Sequence, residues 1–138
     1  MVLILAFLCF TFSTVVTKSE ESIISEKLFN QASCWNSGDL ECFMQDYWKS
    51  DSLIYIGKGG VTYGWQNTLD NYKIKYPTKD EMGKLSFEIV QLKQLDEEHY
   101  FMVGKWHLER AAGDVGGHFS LIWENIDGEW LIISDHSS

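Results

Sequence analysis

Asp135, His136, Ser137 and Ser138 stand in a row one residue, Ser134, after the apolar run Trp130 to Ile133. A carboxylate, an imidazole and two hydroxyls side by side are the materials of general acid–base chemistry, with the imidazole titrating near neutral pH. Neighbours on an uninterrupted strand point to opposite faces, so only one of Asp135 and His136 can face a pocket. His136 then shares its face with Trp130, Ile132 and Ser134, and Asp135 with Leu131 and Ile133. The inward member has two readings: a hydrogen bond that fixes the strand, or the polar lip of a pocket and a weak catalytic candidate.

Arg110 and His118 flank the segment Ala111 to Gly117, and Arg110 is the only arginine in the chain. Its guanidinium suits a carboxylate ligand, or a surface ion pair with Glu109 or Asp114. The aromatics Tyr47, Trp48, Tyr55, Trp65, Tyr72, Trp106 and Trp123 exceed what a core of this size needs. Each has an ordinary role in core packing or a dimer interface. As a group they suit an apolar pocket with a few phenolic or indole donors. Arg110 and His118 join Tyr47, Trp48, Tyr55, Tyr72, Trp106 and Trp123 as expected pocket residues.

Other chemistries lack their residues. The four histidines show no His-x-His or Glu-x-x-His spacing, so no metal and no cofactor are implied. Gly57-Lys58-Gly59-Gly60 lies between short strands and reads as a hairpin turn, not a phosphate loop. There is no Gly-x-Ser-x-Gly elbow. Cys34 and Cys42 flank the Asn36 to Asp39 turn, where either a disulfide or two buried thiols would fit; they are too few for a zinc site.

These side chains must be positioned by helices first and strands afterwards. Ile24, Leu28, Gln31/Ala32 and Trp35 recur at helical spacing over about Ser22 to Asn36. Gly38 suits the end of that helix, and Asp39 suits the N-cap of a second, shorter one. Leu53 to Ile56 and Val61 to Tyr63 form a small hairpin, followed by a helix from Trp65 to Tyr76 that Pro77 ends. From Lys84 the period changes to two. The apolar parity shifts after Ile89 to Val90 and Leu92, which predicts a β-bulge. Strands follow over Tyr100 to Arg110, His118 to Ile126 and Trp130 onward, and Asp127-Gly128 is a two-residue hairpin signal. This pattern is α+β, with helices packed on one face of a bent antiparallel sheet and a pocket between them.

The chain has 138 residues, enough for one domain, and a formal charge of −9 that disfavours nucleic acid and anionic membrane surfaces as partners. Val2 to Val16 is an almost unbroken apolar stretch of the length of a signal-peptide core. The expected organisation is a leader over 1–18 and a single domain over 19–138. Export is the expected destination, with an uncleaved N-terminal anchor as the alternative and no membrane contact beyond the leader.

Four ordered phrases, Trp35 to Trp48, Gly59 to Pro77, Gly104 to Arg110 and Gly116 to Ser138, resemble the SnoaL-like branch of the nuclear transport factor 2-like superfamily. They are similar to its bacterial members carrying a domain of unknown function. The resemblance implies a cone-shaped curved sheet wrapped around N-terminal helices, a pocket inside the cone, and a homodimer through the outer sheet face. It does not supply an activity, because this fold hosts many. Ketosteroid-isomerase-like members use an Asp base with a Tyr and a protonated acid. Tyr47, Tyr55, Tyr72, Asp46 and Asp135 are the groups available here, and none stands in that motif. The expected function is binding of a small, largely apolar molecule. The alternatives are an isomerase or hydrolase of the same fold using His136 or Asp135, and a protein-association module.

Overall fold

The computed structural model describes residues 17–138. The apolar stretch Val2 to Val16, with Cys9 and almost all of the expected leader, lies outside the described residues. Among the described residues no helix is long and apolar enough to cross a membrane.

The first helix, α1 (Glu20–Asn36), starts at Ser19, whose hydroxyl accepts the Ser22 N–H. Glu20 and Glu21 in its first turn complement the helix dipole. Ile24, Leu28, Gln31 and Trp35 form its buried face, as the spacing predicts. Asp39 caps α2 (Leu40–Phe43) by accepting the Cys42 N–H, and a 3-10 turn follows over Met44–Asp46. Cys34 and Cys42 are joined as a disulfide, with Cα atoms 5.4 Å apart. Next come β1 (Ile54–Gly57), β2 (Gly60–Tyr63) and α3 (Trp65–Lys75). A short helix absent from the sequence reading, α4 (Lys79–Met82), is held by a reciprocal cap between Thr78 and Glu81.

Four long strands complete the chain: β3 (Lys84–Gln94), β4 (His99–Glu109), β5 (Val115–Ile126) and β6 (Glu129–Ser137). The sheet order is β2-β1-β6-β5-β4-β3, antiparallel throughout except where β1 runs parallel to β6. The result is a curved, unclosed mixed sheet with helices on one face, an α+β cone. Asp127 and Gly128 both have positive φ, 52° and 86°, as the tight β5–β6 turn requires.

Two bulges bend the sheet. Val90 in β3 is the extra residue between the Ile89–Gly104 and Gln91–Val103 pairs, where the parity shift places it. The second lies in β6: Trp123 pairs with Ile132 and Ile122 with Ser134, leaving Ile133 without an opposite residue. It corrects the parity argument for the chain's last residues. Trp130 and Ile132 face the core, and beyond Ile133 the inward set becomes Asp135 and Ser137. Strand β5 also begins earlier than expected, because Gly116 and Gly117 pair with His107 and Trp106 instead of remaining in the loop. A Cβ on Gly117 would lie 2.0 Å from the Ser138 carbonyl oxygen, so only glycine admits that approach.

The helices are keyed to the sheet by polar contacts as well as by the core. Trp35 Nε1 donates to the Met82 carbonyl at 3.0 Å. Asn36 mimics a strand neighbour, accepting the Leu85 N–H at 2.7 Å and donating to the Leu85 carbonyl at 3.0 Å. Around Trp35 the rings of Phe43, Tyr72 and Tyr76 pack edge-on at 4.9 to 6.0 Å between centroids. This cluster forms the helical wall of the space inside the cone.

Candidate functional site

Asp135 is buried, 3 % exposed, on the concave face of β6. The Tyr47 hydroxyl donates to its Oδ2 at 2.6 Å, and the Ser137 hydroxyl donates to its Oδ1 at 2.8 Å. Tyr47 reaches it because the segment after the 3-10 turn lies beside β6, with the Trp48 N–H donating to the Ile132 carbonyl. Tyr55 is the register partner of Asp135 on the parallel strand β1. Tyr72, from α3, packs its ring edge-on against Tyr55 at 5.7 Å.

Burial pushes the Asp135 carboxyl up to about 6, while the hydrogen bonds from Tyr47 and Ser137 pull it part of the way back. Burial also raises the Tyr55 phenol to about 12, with the nearby Asp135 charge acting in the same direction. Tyr47 and Tyr72 are raised for the same primary reason. Near neutral pH the site thus holds phenolic donors around a carboxyl able to accept or release a proton.

These groups line a cavity of about 340 Å³ between the helices and the sheet. Leu28, Trp35, Phe43, Phe119 and Leu121 supply much of its apolar wall. Gln31, from α1, also lines it, is 1 % exposed, and has no hydrogen-bond partner for its Nε2. A buried donor left unpaired costs about 1–3 kcal/mol, so this amide is a feature of the site to be explained by what the site binds. Lys58, Lys75 and Arg110 complete the charged lining.

The structure brings Tyr47, Tyr55, Tyr72, Trp106, Arg110 and Asp135 to this cavity. It does not bring the other expected residues there. Trp48 is half-buried beside it, and Trp123 is fully buried in the core below. His118 is exposed and borders a separate shallow depression on the sheet with Ser86 and Lys105. His136 is exposed, because the Ile133 bulge turns it outward. The Arg110 guanidinium forms neither expected ion pair: it donates to the Gly113 and Glu81 carbonyls, and Asp114 accepts the Arg110 backbone N–H.

Sequence reasoning missed Gln31, Lys58 and Lys75 as cavity residues. Gln31 did carry a signal, as the one polar residue on an otherwise apolar helix stripe. Among the described residues no cluster of His, Cys, Asp and Glu is suited to holding a metal ion.

No protein-family model and no curated protein matches the chain. Solved structures do. A nuclear transport factor 2-like protein of unknown function from Shewanella oneidensis MR-1 is 41 % identical, with the match covering 83 % of this chain and 95 % of that one, at a TM-score of 0.80. A ketosteroid isomerase-like protein from Erwinia carotovora atroseptica SCRI1043 is 15 % identical over 88 % of this chain and 97 % of that one, at a TM-score of 0.68. A putative calcium/calmodulin dependent protein kinase II association domain from Xanthomonas campestris is 16 % identical over 96 % of both chains, also at 0.68. The last two share the fold alone. With the Shewanella likeness extending over most of both chains, this chain belongs to the nuclear transport factor 2-like family.

Proposed function

We propose that this domain binds a small, largely apolar molecule inside the cone, with Asp135 and its tyrosines fixing a polar group of that molecule. The observation that carries the reading is the aromatic-walled cavity of about 340 Å³ into which a buried carboxyl and three phenols converge. Ligand sites have this composition: apolar walls with a few placed polar groups, in volumes of roughly 300–1,000 Å³. The unpartnered Gln31 amide supports it, since a bound oxygen would satisfy that donor. Titration with the neutral fluorophore N-phenyl-1-naphthylamine tests it. Saturable binding of one probe per chain is expected, reduced at least tenfold by Leu121→Trp, which projects a larger ring into the cavity. Absence of saturable binding, together with no co-purified small molecule by native mass spectrometry, overturns it.

Proton-transfer catalysis at the same site is the second reading, favoured by the contact between Asp135 and Tyr47 within the cavity. Any turnover found in a substrate screen then falls at least a hundredfold in Asp135→Asn; turnover that survives this change removes the reading. A homodimer through the outer sheet face and export of the chain belong to the same proposal. Sedimentation at micromolar concentration tests the first, and N-terminal sequencing of secreted protein tests the second.

A further inference from the structure

The chain has 20 acidic and 11 basic residues, yet the charged lining of the cavity has the opposite balance. Lys58, Lys75 and Arg110 line it, against Asp135 as its one acidic side chain and the terminal carboxylate of Ser138. The three cations come from separate elements: Lys58 from the β1–β2 turn, Lys75 from the last turn of α3, and Arg110 from just past β4. Lys58 and Lys75 are exposed and Arg110 is half-buried, which places their side chains at the opening and not among the apolar wall.

None of the three forms an ion pair with a described carboxylate; Lys18, Lys27, Lys73 and Lys105 each have one, while Lys49, Lys79, Lys84 and Lys93 elsewhere have none. The Lys75 ammonium lies over the Tyr76 ring at 5.4 Å, and the Arg110 guanidinium bonds two neutral carbonyls. Three cations outside any ion pair around one apolar opening, in a chain of net charge −9, make a local field of the sign opposite to the whole, offset in part by Asp114 beside Arg110. Such a rim attracts an anion. The interior repels one, because a ligand anion placed there would face Asp135 in its ionised form.

We propose that the cavity takes an apolar molecule ending in a carboxylate, body inward, with the carboxylate held at the rim by Lys58, Lys75 and Arg110. This rests on the reading of the cavity as a ligand site and names the ligand class. Arg110 suits the role because a planar guanidinium pairs with a carboxylate in a fork geometry.

Calorimetric titration with decanoate, decanol and decyltrimethylammonium at pH 8 separates the terms, since the three share one chain and differ in charge. Decanoate is expected to bind about tenfold more tightly than decanol, and the cation more weakly than either. Raising NaCl from about 20 mM to about 500 mM should narrow the gap, because the rim is solvent-exposed. In the triple variant Lys58→Gln, Lys75→Gln, Arg110→Gln, checked for folding by circular dichroism, the decanoate-to-decanol ratio falls to about one. Equal affinity for decanoate and decanol in the parent chain, or a preference that persists in the folded triple variant, overturns the carboxylate inference and leaves the cavity reading standing. If none of the three probes binds while N-phenyl-1-naphthylamine does, this inference is overturned and the cavity reading stands; if the fluorophore also fails to bind and no small molecule co-purifies, both fall.

Discussion

A carboxyl buried beside two hydroxyls balances the loss of water against two donated hydrogen bonds, and for Asp135 the loss of water wins. With the folded pKa raised from 3.8 to about 6, the folded state holds its proton over a pH range where the unfolded chain has lost it. Stability from this group is therefore greatest below about pH 4, declines as pH rises towards about 6, and is constant above that. The difference is on the order of 3 kcal/mol, taking 1.36 kcal/mol per pKa unit. The exposed Asp96 and Asp114, lowered chiefly by hydrogen bonds from the Glu98 and Arg110 backbone, slope the other way, so the test is a difference between variants. Asp135→Asn should equal the parent in urea unfolding at pH 4 and exceed it by about 2–3 kcal/mol at pH 8. Tyr47→Phe removes a donor that favours the charged form. It should raise the Asp135 pKa further, read by carboxyl NMR titration, and cost about 1–3 kcal/mol at pH 8. Both residues were legible in the sequence as candidates, but their union was not. They lie 88 positions apart, and strict alternation along β6 assigns Asp135 to the wrong face.

At the scale of elements, patterns that repeat were readable and local exceptions were less so. The β5–β6 turn was legible because Asp-Gly supplies the two positive φ values a tight hairpin needs. The Val90 bulge was legible because apolar residues lie on both sides of it to reveal the change of phase. The Ile133 bulge sits in Leu131-Ile132-Ile133, where every residue is apolar and no phase can be read. Helix α4 is a single turn, too short for its Thr78–Glu81 cap to stand out as a helix start beside Pro77. Glycines within these elements make a separable prediction. Gly128 has φ 86° and open space around its Cα, so Gly128→Ala costs backbone strain alone, about 1–2 kcal/mol. At Gly104 a Cβ would lie 2.3 Å from Phe119 Cζ and 2.7 Å from the Glu88 carbonyl oxygen. Gly104→Ala should therefore cost about 3 kcal/mol by overpacking, and chemical denaturation of the two variants should rank them in that order.

For the whole molecule, the six-stranded sheet and its helices form a shell whose charge and chemistry are set at different places. The acidic exterior repels nonspecific anions, while the cationic opening would admit one kind of ligand. Binding at that opening should stabilise the entire fold. Decanoate at a hundred times its dissociation constant contributes about 2.7 kcal/mol, which in a domain of this size is roughly a 10 °C rise in the thermal midpoint. Differential scanning fluorimetry reads this directly, and the rise should shrink in the triple rim variant. The α+β class was legible from element order, since helices precede a period-two region that cannot bury itself alone. A pocket between helices and sheet was expected too, but its size and full lining were not legible, because how far facing aromatics stand apart depends on sheet curvature, which composition does not encode. The single unopposed residue in β6 reaches further than its own strand. Trp130 and Ile132 anchor the sheet before Ile133, so drawing that one residue into regular pairing would slip the rest of the strand by one position, leave the anchors in place and exchange Asp135 and Ser137 for Ser134 and His136 inside the chamber. A fold built this way can trade an acid for an imidazole by a one-residue slip of its last strand, a route by which one shell could diversify its chemistry without rebuilding its walls.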